Sequence, residues 1–119
     1  MWLRIGGILM FLGVALGAFG AHALKSRLDA YSLDIFKTAV FYHLIHALGI
    51  FIVAYLSSLI NDPKIQWAGI LFICGIFLFS GSLYLLAITG QKWLGAITPL
   101  GGLSFLMAWL LIAFAGFIL

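Results

Sequence analysis

Four long apolar runs occupy almost the whole chain, and they decide its solvent before any other feature is read. Trp2–Ala23, Ile35–Ile60, Ile65–Ile88 and Pro99–Leu119 are each mostly apolar. Roughly 20 such residues, about 30 Å as helix, are enough to cross the hydrocarbon core of a bilayer. The chain has 119 residues, 66% hydrophobic and 8% charged. A soluble domain carries about 25% charged residues, and a water-soluble fold of this size has no way to hide so much apolar surface. The reading is therefore all-α: an integral membrane bundle of four transmembrane helices, one domain over residues 1–119.

A leader peptide is the rival reading of the first run. Arg4 precedes the apolar stretch, and Ala21-His22-Ala23 has the small-x-small form of a cleavage site. The stretch is longer than the core of a leader, so a span is preferred. The net charge of +3 fits lysines and arginines beside lipid headgroups. Nothing like a basic stripe with interleaved aromatics is present, so no nucleic-acid partner is expected; membrane lipids are. The single Cys74 allows no disulfide within the chain.

The connectors are short. Leu24–Asp34 has Leu24, Leu28, Tyr31 and Ile35 on one helical face and Lys25, Asp29 and Lys37 on the other, with Lys25 and Asp29 spaced to pair. That pattern predicts a short amphipathic helix lying at the membrane surface between the first two spans. Asn61-Asp62-Pro63 predicts a tight turn, with Asp62 as helix N-cap and Pro63 in the first helical position. Thr98 and Pro99 predict the same device at the start of span four. Trp93 suits the headgroup zone. Connectors one and three carry four cations, Lys25, Arg27, Lys37 and Lys92, against Arg4 and Lys64 on the other side. By the positive-inside rule, connectors 24–34 and 89–97 face the cytoplasm and both termini lie outside.

Span one carries Gly6, Gly13, Gly17 and Gly20 on one stripe, Gly13 and Gly17 forming a GxxxG. In lipid such residues let another helix approach. Contact within the bundle is preferred to a seam between copies. Gly81, Gly101 and Gly102 are read the same way.

Ionisable residues inside a membrane are functional suspects by default. His43 and His46 stand three apart on span two, on a seam with Ser32, Ala39, Ile50 and Ser57 that is expected to face the interior. His22 ends span one. Tyr42, Ser82 and Tyr84 complete a candidate intramembrane polar site, and Cys74, Ser80 and Ser104 are further residues expected to be buried. A metal centre lacks a third ligand, because Asp29, Asp34 and Asp62 all sit in or beside connectors. Haem requires two facing histidines at equal depth, and His22 and His46 differ in depth by roughly 10–15 Å. The preferred reading is neutral histidines hydrogen-bonded across helices, with no metal and no cofactor. No catalytic residues are assigned: there is no buried carboxylate pair, no GxSxG and no phosphate loop.

The motifs carry a resemblance. Gly17-Ala18-Phe19-Gly20-Ala21-His22, then Thr38–Leu48 with its Phe41-Tyr42-His43-Leu44-Ile45-His46 core, then Phe79-Ser80-Gly81-Ser82-Leu83-Tyr84, and last Leu94–Gly102 form an ordered set. Together they resemble the DUF423 family of small membrane proteins of unknown function, over nearly the whole chain. The resemblance implies a four-span membrane protein. It matches His22 and His46 to family histidines, and has glutamine at the position of His43 and glycine at that of Ala23. That argues against a mechanism that requires His43. It brings no activity or ligand. The leading expectation is a non-enzymatic component that packs with copies of itself or with another membrane protein; the alternative is a small transporter or channel component with a histidine-lined polar path.

Overall fold

A computed structural model describes residues 1–116. Four long helices account for most of it: α1, Trp2–Leu24; α2, Ala30–Leu59; α3, Pro63–Thr89; and α4, Lys92–Ala113. All four are long and apolar enough to cross a membrane. The expected fourth span runs on to Leu119, and its last three residues lie outside the described residues.

Helix α2 has 30 residues, about 45 Å of helix, well over the thickness of a hydrocarbon core. It starts five residues earlier than the apolar run because Asp29 caps it: the Asp29 carboxylate accepts from the Ser32 N–H at 2.7 Å. This corrects the expected surface helix. Residues 25–27 form a turn, Leu28 a bend, Asp29 is extended, and Ala30 already belongs to the first turn of α2. The cap that Asp29 provides outcompetes a separate amphipathic helix, and it takes Lys25 and Asp29 off a common helix. At the other end of α2 the turn is as read from sequence: Asp62 caps α3, accepting from Lys64 N–H at 2.9 Å, with Pro63 in the first helical position.

The expected Thr98 cap is not observed. Helix α4 opens with a 3₁₀ turn, Lys92–Ala96, whose N-terminal flank Gln91 makes no side-chain cap, so Thr98 already lies inside the helix. Pro99 has no N–H to satisfy, so the chain stays helical through it. The Thr98 hydroxyl is spent elsewhere, 2.6 Å from that of Ser82 on α3. Gly90, at φ +70°, ends α3 in the left-handed conformation.

Helix α2 is central. Helix α1 packs along it, α4 packs chiefly on α3, and the molecule is a slab of 50 × 26 × 16 Å. The inner helices α2 and α3 are the more buried, the outer pair α1 and α4 the more exposed. Phe72, Ile50, Val53 and Ile65 form the fully enclosed centre. Glycines set the spacing. Phe72 lies in a notch left by Gly49, and the Trp2 ring lies against Gly69. The Trp2 indole N–H also donates to Gln66 Oε1 at 2.7 Å, and Gln66 reaches Ser57 at 3.0 Å, a polar latch at the end that holds the N-terminus.

Both α1 and α3 contain a π-helical segment, Leu16–Gly20 and Ile76–Gly81. A π segment adds a residue to a turn and re-aims the side chains beyond it. In α3 it separates Ser80, directed to α2, from Ser82, directed to α4.

Candidate functional site

The two buried histidines of α2 have separate surroundings. His43 is buried, and both its ring nitrogens are engaged: Nε2 lies 2.8 Å from the Leu9 carbonyl on α1, and Nδ1 lies 2.8 Å from the Tyr84 hydroxyl on α3. A carbonyl only accepts, so Nε2 carries the proton. Nδ1 of the neutral ring then accepts from Tyr84. One imidazole thus ties three helices together. Its approach to α1 depends on Gly13: a Cβ there would meet Leu44 at 2.7 Å and the His43 ring at 3.2 Å. Gly17 makes room for Val40 and Gly20 for Phe36 on α2. The glycine stripe of α1 therefore meets α2 of the same chain. Beside the His43–Tyr84 pair is a groove of about 380 Å³ lined by Leu9, Leu12, Leu16, Phe77 and Gly81.

His46 is also buried, but its surroundings differ. Nδ1 lies 2.7 Å from the Tyr42 carbonyl one turn back, so Nδ1 holds the proton and Nε2 a lone pair. No hydrogen bond to Nε2 exists among the described residues. The ring stacks on Phe105 of α4, with centroids 3.5 Å apart and planes within 8°. Tyr42, Phe79 and Trp109 surround the same place and, with Gly102, line a second groove of about 570 Å³.

The remaining expected site residues are dispersed. Cys74, expected to be buried, is exposed, and Tyr42, expected to be buried as well, is partly exposed at the mouth of the His46 groove, its ring packed on Phe79. His22 is exposed near the end of α1, and no hydrogen bond or ring contact joins it to His43 or His46 among the described residues. Ser80 donates to the Ala39 carbonyl at 2.7 Å and Ser104 to that of Leu71 at 2.7 Å. Ser82 donates to Phe79 at 2.9 Å, inside α3, and meets Thr98 of α4. Gly101 sits against the Phe79 backbone, where no side chain would fit, whereas a Cβ at Gly102 would reach only the Phe79 ring at 3.9 Å. Gly81 has only its own helix nearby. Among the described residues, no three His, Cys, Asp or Glu side chains gather to hold a metal. The sequence puts His43 and His46 on one seam, and the structure buries both but separates their neighbours. Sequence reading misses Phe105 and Trp109, because an aromatic residue in an apolar span gives no signal that it borders a histidine.

The fold and these intramembrane contacts define a multi-pass membrane protein built of four apolar helices. Residues 16–102 match the family model described as "Protein of unknown function (DUF423)". The chain is 45% identical to the UPF0382 membrane protein YwdK of Bacillus subtilis, over 97% of this chain and 94% of that one. It is 38% identical to UPF0382 membrane protein SH2409 of Staphylococcus haemolyticus, over 98% and 95%, and 37% identical to SSP2132 of Staphylococcus saprophyticus, over 98% and 97%. The chain belongs to the DUF423 family of membrane proteins, whose function is not characterised. No solved structure matches it.

Proposed function

We propose that this protein is a non-enzymatic membrane component that assembles side by side with copies of itself or with another membrane protein. The observation that carries the reading is the way His43 is consumed: both ring nitrogens bond within the chain, to Leu9 and to Tyr84, which leaves no free lone pair or proton for chemistry. The hydroxyls of Ser80 and Ser104 are spent in the same way on backbone carbonyls of neighbouring helices. Such bonds hold helices together in lipid, where packing replaces the hydrophobic drive. The slab shape supports lateral assembly, since a bundle only 16 Å deep leaves broad faces on both sides. Connectors are too short to recognise a soluble partner, so the faces within the membrane are the surfaces on offer.

We further place the protein in the bacterial plasma membrane, with the Lys25–Arg27 and Lys92 ends of the helices in the cytoplasm and both termini outside. The support is the charge count of four against two. Crosslinking in native membranes tests the assembly: dimers, larger species or a crosslinked partner are expected, and monomer alone contradicts it. A histidine-lined transport path is the competing reading. With His43 locked between two partners, proton flux in liposomes is expected to equal that of empty liposomes; a flux lost on His43→Leu overturns the reading.

A further inference from the structure

His46 is only 5% exposed, yet its Nε2 has no hydrogen-bond partner among the described residues. No fully occluded side-chain nitrogen or oxygen in the described structure lacks a partner. The little exposure that His46 keeps therefore reaches Nε2, and His46 lines the groove between α2 and α4. Tyr42 and Trp109 line the same groove, and no hydrogen bond to the tyrosine hydroxyl or to the indole N–H exists among the described residues. In hydrocarbon no water satisfies such groups, and each unmet one is costly.

The walls are flat rings. Phe105 covers one face of the imidazole, Tyr42 lies near parallel to it at 6.0 Å, and Phe79 packs on Tyr42 at 4.4 Å. Gly102 opens the α4 side. At about 570 Å³ the space is of the size that holds one small molecule. Its polar complement is specific. Nε2 of a neutral imidazole accepts, so it calls for an O–H donor; the indole N–H donates, so it calls for an oxygen acceptor; the tyrosine hydroxyl does either.

We propose that the α2–α4 groove binds the hydroxylated aromatic head of a lipid-soluble molecule of the quinol class, its O–H donated to His46 Nε2. A hydrocarbon tail would leave such a head in the bilayer, onto which the groove opens past Leu103 and Leu106. A flat ring matches the aromatic walls, and the two oxygens of a quinol match the acceptor and donor set. The site is built by α2, α3 and α4 and does not rest on self-association.

The test uses the full chain in nanodiscs and three probes with equal decyl tails: a benzoquinol, its dimethyl ether, and a plain alcohol with no ring. Binding is read from quenching of the groove indole, with Trp109→Phe as the blank for the other three tryptophans. The benzoquinol is expected to bind about ten-fold more tightly than the ether, which lacks the donor, and more tightly than the alcohol, which lacks the ring. His46→Phe keeps a ring against Phe105 and removes Nε2; it is expected to abolish the preference over the ether. Gly102→Leu adds a side chain to the groove lining at a position where a Cβ meets only the Phe79 ring, at 3.9 Å, so it is expected to abolish binding in a folded protein even where His46→Phe does not fold. Equal binding of quinol and ether, equal binding of the alcohol, or quinol binding unchanged in Gly102→Leu overturns the proposal.

Discussion

The Leu9 carbonyl and the Tyr84 hydroxyl have opposite needs, and His43 meets both only as the neutral Nε2–H tautomer. A glutamine offers the same pair of functions, an N–H donor and a carbonyl acceptor, at nearly the same reach. His43→Gln is therefore expected to retain most of the stability, while His43→Leu leaves Tyr84 without its partner and costs about 1–2 kcal/mol. Unfolding in mixed micelles measures both; equal losses for the two variants contradict the strut. Outside the spans, Asp29 and Asp62 work as caps. The Ser32 N–H holds the Asp29 carboxyl below its ordinary range, and the N–H groups of Gly116 and Lys64 do the same for Asp62. Both values are depressed in the folded state, so the stabilisation is complete above the ordinary carboxylate range, about pH 4, and is lost as pH falls through the lowered values. Amide exchange checks this. Protection at Ser32, Lys64 and Gly116 is expected to hold from pH 7 to 5 and to fall under stronger acid; protection unchanged down to pH 2 contradicts it.

At the scale of the helices, glycines with similar sequence signals have different roles. Gly101 lies against the Phe79 backbone and cannot accept a methyl group unless α3 and α4 separate. Gly101→Ala is expected to cost about 1–3 kcal/mol, as overpacking does. Gly102→Ala, one residue on, is expected to be neutral within about 0.5 kcal/mol. The same micelle unfolding compares them, and equal effects contradict the packing. The two are adjacent in sequence, and only the structure separates them. The same limit applies elsewhere. Apolar runs made the four helices legible, because length and composition alone decide whether a segment crosses lipid. The Asp62-Pro63 start was legible because a cap and a proline act locally. The surface helix failed because its amphipathic pattern competes with a cap at Asp29, and periodicity does not weigh a cap against a face. Thr98 failed because its hydroxyl has a better partner across the bundle, at Ser82, which no local pattern reveals. In the candidate site, helical spacing puts His43 and His46 on one seam of α2, whereas the structure gives them different neighbours, α1 and α3 for His43 and α4 for His46. The difference between them, one saturated and one whose Nε2 has no partner among the described residues, arises from Leu9, Tyr84, Phe105 and Trp109, distant in sequence.

The whole molecule is shaped by the ranking of its helices, with α2 and α3 inside and α1 and α4 at the flanks. Apolar rings are left exposed on this bundle, among them Phe11, Phe19 and Phe77. Lipid covers them equally well in a monomer, so assembly depends on shape and on close contacts rather than on hydrophobicity. Orientation is a further property at this scale. A cysteine placed at Lys92 in a Cys74→Ala background is expected to react with an impermeant thiol reagent only after the membrane is opened, and one at Lys64 before; the reverse order inverts the topology. The most direct measurement is a native mass spectrum of the protein released from mild detergent. A mass of two or more 13.0 kDa chains, or of one chain with a second membrane protein, is expected. A bare single chain as the only species contradicts lateral assembly.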